Sequence, residues 1–203
     1  MAIDAVIFDI GGVLENTADL GVTAEWERRL GLDRGEFDKR MSDIWRAGSV
    51  GTVTEADVAT ALGARLSLDP DQRKAFLTDM WREYLGTANT DLIDYARTLR
   101  PRYRTGIISN SFVGARAREQ AAYGFEDLVD DIVYSHEVGF QKPDARIYAL
   151  ACQRLRLDPA AAVFIDDRES AVEGARAVGI HVLLHTGDNA KTIQALQALL
   201  SIN

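Results

Sequence analysis

Four short segments of the chain carry side chains that can act together on a phosphate group. The first holds Asp9, which follows the apolar run 5–8 and is itself followed by Gly11-Gly12. Three further segments supply a hydroxyl, an ammonium group and paired acids: Ser109-Asn110, Lys142-Pro143 and Asp166-Asp167. A nucleophilic carboxylate with these partners favours Mg²⁺-assisted phosphoryl transfer through an aspartyl-phosphate.

Three of the four segments directly follow a short apolar run, at 5–8, 106–108 and 162–165. Such runs predict buried strands. Open α/β sheets bind their ligands at the carboxyl ends of parallel strands. We therefore expect these side chains to meet at one edge of a sheet.

From about residue 88 onward, apolar runs alternate with amphipathic helical patterns. The predicted strands lie at 105–108, 132–134, 162–165 and 181–184, with helices near 92–99, 113–123, 144–155, 169–178 and 190–200. This alternation predicts an α/β fold, a Rossmann-like, doubly wound parallel sheet joined by right-handed crossovers.

The region 15–87 differs, because its apolar residues recur at helical intervals of three and four. Four helices without a convincing strand are predicted there. Thr54 and Asp69-Pro70 have the residue types that begin helices. We predict an all-helical insert over 15–87, between the two parts of the core at 1–14 and 88–203.

Composition restricts the class of protein. A formal net charge of -8 argues against nucleic acid or an anionic membrane as the main partner. Cys152 is the only cysteine, so an internal disulfide is impossible. Residues 1–4 show no basic leader before an apolar stretch, and no run approaches transmembrane length. We expect a cytoplasmic protein; the sequence does not reveal its oligomeric state.

The residues around the four segments carry a family resemblance. The segments 8–14, 108–111, 138–144 and 164–167 resemble the four ordered motifs of the haloacid dehalogenase superfamily. The insert resembles that superfamily's helical cap, and 47–55 is similar to a cap segment of its sugar-phosphate phosphatases and of the phosphatase domain of soluble epoxide hydrolases. The resemblance implies a hydrolase with an α/β core and a cap.

The resemblance also implies a Mg²⁺ site. Asp9 and Asp167 are the expected carboxylate ligands, and the carbonyl of Gly11 is the expected third protein ligand. Mg²⁺ prefers such oxygen ligands together with water and substrate oxygen. Asp166 would orient a metal-bound water or Lys142, although the division of roles within this acidic pair stays open.

The remaining motif residues are expected to bind the phosphate. Lys142 supplies a compact cation for the transferring group and for Asp9, and Ser109 donates a hydroxyl hydrogen bond. The backbone amides of Asn110, Ile10 and Gly11 complete an anion cradle of the kind that electrostatic stabilisation requires.

One position departs from the family pattern. Many phosphatases of this superfamily carry an aspartate two residues after the nucleophile as general acid and base, and here that position is Gly11. General acid-base catalysis is typically worth about 10²–10⁴-fold. We therefore expect weak turnover of poor leaving groups such as sugar alkoxides. Glu15 and Asp19 are candidates for a surrogate acid because of their positions.

The leading hypothesis is a Mg²⁺-dependent hydrolase of a small phosphorylated metabolite, with a sugar phosphate as one candidate. One alternative is a metal-free 2-haloacid dehalogenase, although the acidic pair Asp166-Asp167 suits a cation rather than an anionic substrate. The other is a non-catalytic phosphate-binding or regulatory protein, for which Gly11 is the only support.

Overall fold

The structure is a computed structural model that describes residues 2–201. Within these residues the strands are β1 (Ala5–Phe8), β2 (Glu15–Asn16), β3 (Thr87–Ala88), β4 (Arg104–Ser109), β5 (Asp131–Tyr134), β6 (Ala162–Asp166) and β7 (His181–Leu184). The helices of the first half are α1 (Val22–Leu30), α2 (Glu36–Ser49), α3 (Glu55–Leu66), α4 (Pro70–Leu85) and α5 (Thr90–Leu99). Those of the second half are α6 (Ala115–Tyr123), α7 (Phe125–Leu128), α8 (Ser135–Val138), α9 (Ala145–Leu155), α10 (Glu169–Ala177) and α11 (Asn189–Ser201).

Five parallel strands form the central sheet in the order β5-β4-β1-β6-β7. Strand β1 lies in the middle, where Phe8 is in register with Ile107 of β4 and Ile165 of β6. The residues that follow these three strands are therefore neighbours at one edge. The predicted α/β fold with a parallel sheet is confirmed.

The sheet buries apolar side chains on both faces. Successive residues of a strand point to opposite faces, and accordingly Val6 and Phe8 belong to one buried cluster while Ala5 and Ile7 belong to the other. Burial on both sides explains why the strand sequences are continuously apolar. The polar residues at the strand ends are thus held on a rigid support.

The insert has a hydrophobic cluster of its own. Its helices bury Trp26, Phe37, Met41 and Phe76 against one another. Helices α3 and α4 begin where the sequence predicts, because Thr54 and Asp69 each accept a hydrogen bond from the backbone three residues on.

A short antiparallel pair joins the two ends of the insert. Glu15 of β2 is in register with Ala88 of β3. These strands of two residues are too short to show periodicity, so the sequence did not predict them.

The division into a core at 1–14 and 88–203 and a cap at 15–87 stays a prediction. Met1, Ile202 and Asn203 lie outside the described residues.

The end of α2 packs directly on the core beside the sheet edge. A Cβ on Gly48 would lie 2.1 Å from the Phe112 ring, and the Val113 amide donates to the Gly48 carbonyl at 3.1 Å. Ser135 Oγ donates to the Ser49 carbonyl at 2.8 Å. The insert is thereby held against the loop that follows β4. No helix within residues 2–201 has the length and apolar character needed to cross a bilayer.

Candidate active site

The structure brings the four predicted segments together at the carboxyl edge of the sheet. Asp9 follows β1, Ser109 ends β4 and Asp166 ends β6. Lys142 reaches the same point from the segment between α8 and α9. All four side chains are buried. A buried cluster of polar groups at this edge matches the place where open α/β sheets bind ligands.

Lys142 bridges two aspartates. Its Nζ lies 2.7 Å from Asp9 Oδ1 and 2.6 Å from Asp166 Oδ2. Opposite charges at this distance compensate part of the cost of burial, although two carboxylates and one ammonium group leave an excess negative charge. The bridge fixes the ammonium group beside the predicted nucleophile.

The position of Lys142 is set by Asn110. Asn110 Nδ2 donates to the Lys142 carbonyl at 3.0 Å, and the Lys142 amide donates to Asn110 Oδ1 at 2.7 Å. The sequence interpretation used only the backbone amide of Asn110. It missed this side-chain role because no local pattern connects residues so far apart in the chain.

Asp9 has an unusual electrostatic environment. Burial raises the pKa of Asp9 to about 7, and the negative charge of Asp166 adds to this, whereas Lys142 acts in the opposite direction. Burial and Asp166 also raise the pKa of Asp167. The three aspartates each offer an oxygen within 4.8 Å of the others. This oxygen-rich, electron-rich set fits a small divalent cation.

The two adjacent acids differ in their partners. Asp166 Oδ2 accepts from Lys142, and Asp166 Oδ1 accepts from the Arg168 amide at 2.8 Å. Asp167 is more exposed and lies against the first loop, where a Cβ on Gly12 would be 2.4 Å from Asp167 Oδ2. Asp166 is therefore engaged with Lys142, and Asp167 is the more exposed acid of the pair.

The loop after β1 leaves room at the position that lacks the family aspartate. The nearest described atom to a Cβ built on Gly11, apart from its chain neighbours, is Thr17 Cγ2 at 4.0 Å. The Ile10 amide donates to Asp9 Oδ1 at 2.8 Å. The Lys142 contact uses the same oxygen, so Asp9 Oδ2 is the oxygen that these donors leave free.

A cavity of about 420 Å³ opens above these residues. The predicted site residues that line it are Asp9, Ile10, Gly11, Ser109, Asn110, Lys142 and Asp167. Both candidate surrogate acids, Glu15 and Asp19, also line it. Asp166 lies beneath, fully buried.

Two further residues that the sequence interpretation missed line the cavity, Tyr84 of α4 and Glu119 of α6. Ala115 and Glu119 are four residues apart and lie on one buried face of α6. An acidic residue at a helical spacing from an apolar one was the only sequence signal for a buried glutamate here. The Tyr134 hydroxyl donates to Glu119 Oε2 at 2.5 Å.

Glu15 and Glu119 are buried acids that interact with each other. Burial raises the pKa of Glu15 to about 9, with further contributions from the charges of Glu119 and Asp9. Burial raises the pKa of Glu119 to about 7, against the effects of the Tyr134 hydrogen bond, the nearby Tyr84 hydroxyl and the positive charge of Arg116. Both residues line the same cavity as Asp9 and Lys142.

The chain matches a known protein family. Residues 3–179 match the family model described as haloacid dehalogenase-like hydrolase. The chain belongs to this family. It is therefore an enzyme of the hydrolase class, as the motifs at Asp9, Ser109, Lys142 and Asp166 predict.

The named relatives of this hydrolase include a phosphatase and a dehalogenase. The chain is 29% identical to "Phosphatase MT3486" of Mycobacterium tuberculosis (strain CDC 1551 / Oshkosh), over 91% of this chain and 88% of that protein. It is also 29% identical to the (S)-2-haloacid dehalogenase of Xanthobacter autotrophicus, over 89% of this chain and 74% of that protein.

A solved structure shares the fold. The family enzyme bt-2542 of Bacteroides thetaiotaomicron, in complex with magnesium and inorganic phosphate, superposes with a TM-score of 0.77. The two chains are 22% identical, and the match covers 92% of this chain and 96% of that one.

Proposed function

We propose that this hydrolase is a Mg²⁺-dependent phosphatase that acts on a small phosphomonoester through an aspartyl-phosphate on Asp9. The observation that carries the proposal is the acidic trio with a single bridging lysine at the carboxyl edge of the sheet. Its excess negative charge suits a cation, and a bound cation would in turn let a phosphate dianion approach the carboxylates.

The residues fit Mg²⁺. Asp9 and Asp167 would supply carboxylate oxygens, and the carbonyl of Gly11 would supply the third protein ligand. The close approach of Asp167 to the bare backbone at Gly12, and its carboxylate oxygen within 4.8 Å of one from Asp9, support this assignment. When bound, Mg²⁺ supplies a positive charge that screens the phosphate from the carboxylates and stabilises the transferring group.

The chain's own residues would perform the transfer. Asp9 Oδ2 attacks phosphorus, an O–P bond forms, and the bond from phosphorus to the leaving alcohol breaks. Lys142 and the Ser109 hydroxyl bind the equatorial oxygens, where charge is spread in the transition state. Water then attacks the phosphorus of the intermediate, which releases inorganic phosphate and regenerates the Asp9 carboxylate.

The leaving group needs a proton that Gly11 does not supply. Alkoxides are poor leaving groups, so turnover of alkyl and sugar phosphates depends on another donor or proceeds slowly. Glu15 and Asp19 line the cavity and are the candidates. An aryl phosphate leaves as a stable phenolate and depends less on such a donor. A sugar phosphate remains one candidate substrate.

Two of the similar proteins support a phosphatase, and one supports the alternative of a dehalogenase. The Mycobacterium tuberculosis protein is named a phosphatase, and the Bacteroides thetaiotaomicron structure holds magnesium and phosphate. The relative from Xanthobacter autotrophicus favours dehalogenation. A 2-haloacid is an anion that needs no metal, and it would meet Asp167 beside a lysine whose charge is already shared by Asp9 and Asp166. We therefore place dehalogenation second.

The test is phosphate release from p-nitrophenyl phosphate and a panel of sugar phosphates, with Mg²⁺ and with a chelator. We expect metal-dependent release that Asp9→Asn abolishes, while Asp71→Asn, a change of an exposed aspartate on α4, leaves it intact. Chloride release from 2-chloropropionate without phosphate release would favour dehalogenation. Phosphate binding without turnover of any ester would favour the non-catalytic alternative.

A further inference from the structure

We propose that Glu15 and Glu119 form a subsite for a primary ammonium group on the leaving alcohol, so that the preferred substrates are phosphate esters of amino alcohols or amino sugars. This inference rests on the proposed phosphatase function and adds the chemical class of its substrate.

The first observation is a pair of unmatched hydrogen-bond acceptors. Glu15 is 1% exposed and Glu119 is 0% exposed. The Oε1 atom of each has no hydrogen-bond partner within residues 2–201. Buried side-chain oxygens are normally paired, so two unpaired ones in the walls of one cavity call for donors from a ligand. Both side chains line the cavity that contains Asp9.

The second observation concerns charge. Glu15 and Glu119 lie close enough for their charges to repel. Tyr134 donates a neutral hydrogen bond to Glu119 but brings no positive charge. Arg116 packs over the Tyr134 ring at 4.8 Å, yet its guanidinium is paired with Glu126 and Glu137. Burial holds the pKa of both acids well above its usual range, and a positively charged ligand would stabilise their ionised forms.

The other acids of the cavity already have structural roles. Glu83 Oε2 accepts from the amides of Leu20 and Val22 at 2.8 and 3.1 Å. Asp19 Oδ1 accepts from the Gly21 amide at 2.8 Å. These bonds hold the segment that leads into α1. Unlike these oxygens, the Oε1 atoms of Glu15 and Glu119 are buried and have no donor among the described residues.

The chemistry of the donors decides between an alcohol and an amine. A hydroxyl donates one hydrogen bond and is neutral. A primary ammonium group donates up to three and carries the positive charge, so it can satisfy both Oε1 atoms at once. An amine attached to the leaving alcohol thus matches this subsite better than a further hydroxyl.

The subsite is fixed relative to the nucleophile. The Glu15 amide donates to the Ile10 carbonyl at 2.8 Å, and the Gly12 amide donates to the Glu15 carbonyl at 2.8 Å. The turn that carries Asp9 therefore also positions Glu15. Both glutamates line the same cavity of about 420 Å³ as Asp9 and Lys142, so the leaving alcohol of a bound phosphate ester shares this cavity with them.

The test compares matched esters with the full chain and Mg²⁺. Glucosamine 6-phosphate and glucose 6-phosphate differ at one ring position, and p-nitrophenyl phosphate reports transfer without any amine. We expect kcat/KM to be at least about tenfold higher for the amino sugar, since a charged hydrogen bond is worth about 1.5–3 kcal/mol. Glu119→Gln should reduce this preference, mainly through KM, and Glu173→Gln, an exposed change on α10, should preserve it.

The outcomes separate the two proposals. Turnover of p-nitrophenyl phosphate with equal kcat/KM for the two sugar phosphates would overturn the subsite and leave the phosphatase in place. A preference that survives both Glu119→Gln and Glu15→Gln, in variants shown to be folded, would also overturn it. Silence on every ester would overturn the proposed function and the subsite with it. If the variants do not fold, the ratio of kcat/KM for glucosamine 6-phosphate to that for glucose 6-phosphate in the wild-type protein decides whether the subsite exists.

Discussion

The backbone of Gly12 lies directly against the carboxylate of Asp167. Gly12 has φ +76, and a Cβ there would lie 2.4 Å from Asp167 Oδ2. A side chain would therefore both strain the backbone and push the carboxylate away from Asp9. The contact joins the loop after β1 to the loop after β6, so the geometry of the acidic trio depends on a residue without a side chain.

Gly12→Ala should weaken Mg²⁺ binding as well as stability. Gly35→Ala is the matched control, since Gly35 has φ +81 and no described atom within 4 Å of its Cβ position. Both changes incur the left-handed backbone cost of roughly 1–2 kcal/mol. We expect only Gly12→Ala to raise the Kd for Mg²⁺ in calorimetric titration. Equal Mg²⁺ affinity in the two variants would contradict the close contact.

Lys142→Met should destabilise the metal-free protein strongly. It leaves Asp9 and Asp166 buried without their shared cation, and removing one partner of a buried ion pair typically costs about 3–5 kcal/mol. Urea unfolding in the presence of chelator measures the loss. The exposed Lys39→Met serves as control. If the two variants unfold at the same urea concentration, the bridge contributes nothing to stability.

Gly11→Asp should raise turnover of sugar phosphates. The position has room for a side chain, and the aspartate would protonate the leaving alkoxide, for which a gain of about tenfold or more is expected. Gly11→Asn has the same size and cannot donate a carboxyl proton. The decisive ratio is kcat for a sugar phosphate over kcat for p-nitrophenyl phosphate. Equal ratios in the two variants would show that a missing acid does not limit the enzyme.

The stability of the metal-free protein should fall as pH rises from about 4.5 to about 7. The pKa of Glu119 is raised from 4.5 to about 7, so the folded protein keeps a proton that the unfolded chain loses. By linkage, Glu119 reduces the free energy of unfolding across this window by an amount on the order of 3 kcal/mol. Glu119→Gln removes this contribution.

Chemical unfolding of wild type and Glu119→Gln at pH 4 to 8 measures this effect. We expect the difference in free energy of unfolding between them to shift in favour of the variant as pH rises. Parallel curves would show that Glu119 titrates alike in the folded and unfolded states.

Much of the fold follows from the sequence because its strands are buried on both faces. The apolar run at Ala5–Phe8 corresponds to the buried strand β1 with the same ends, and the run at 162–165 corresponds to the buried strand β6 with one residue more. The segments at Asp9, Ser109 and Asp166 were found because each follows such a strand. These features are local in the chain, so local patterns reveal them.

Other features depend on contacts between distant residues. The side chain of Asn110 forms two hydrogen bonds with the backbone of Lys142, which is 32 residues away in the chain. Glu119 approaches Glu15 only after α6 packs on the core. The partners of Asp166 and Asp167 also differ only in three dimensions, since the two residues are adjacent in sequence and alike in type. No local pattern encodes these relationships.

Detection of a phosphoryl group on Asp9 tests most directly whether the reaction passes through an aspartyl-phosphate. The protein is mixed with Mg²⁺ and a slow phosphomonoester, quenched in acid within one turnover, digested and analysed by mass spectrometry. We expect a hydroxylamine-sensitive phosphoryl adduct on the wild-type peptide that contains Asp9, and no adduct on the same peptide of the Asp9→Asn variant. Phosphate release at the wild-type rate by Asp9→Asn, or turnover with no adduct at Asp9, would contradict it.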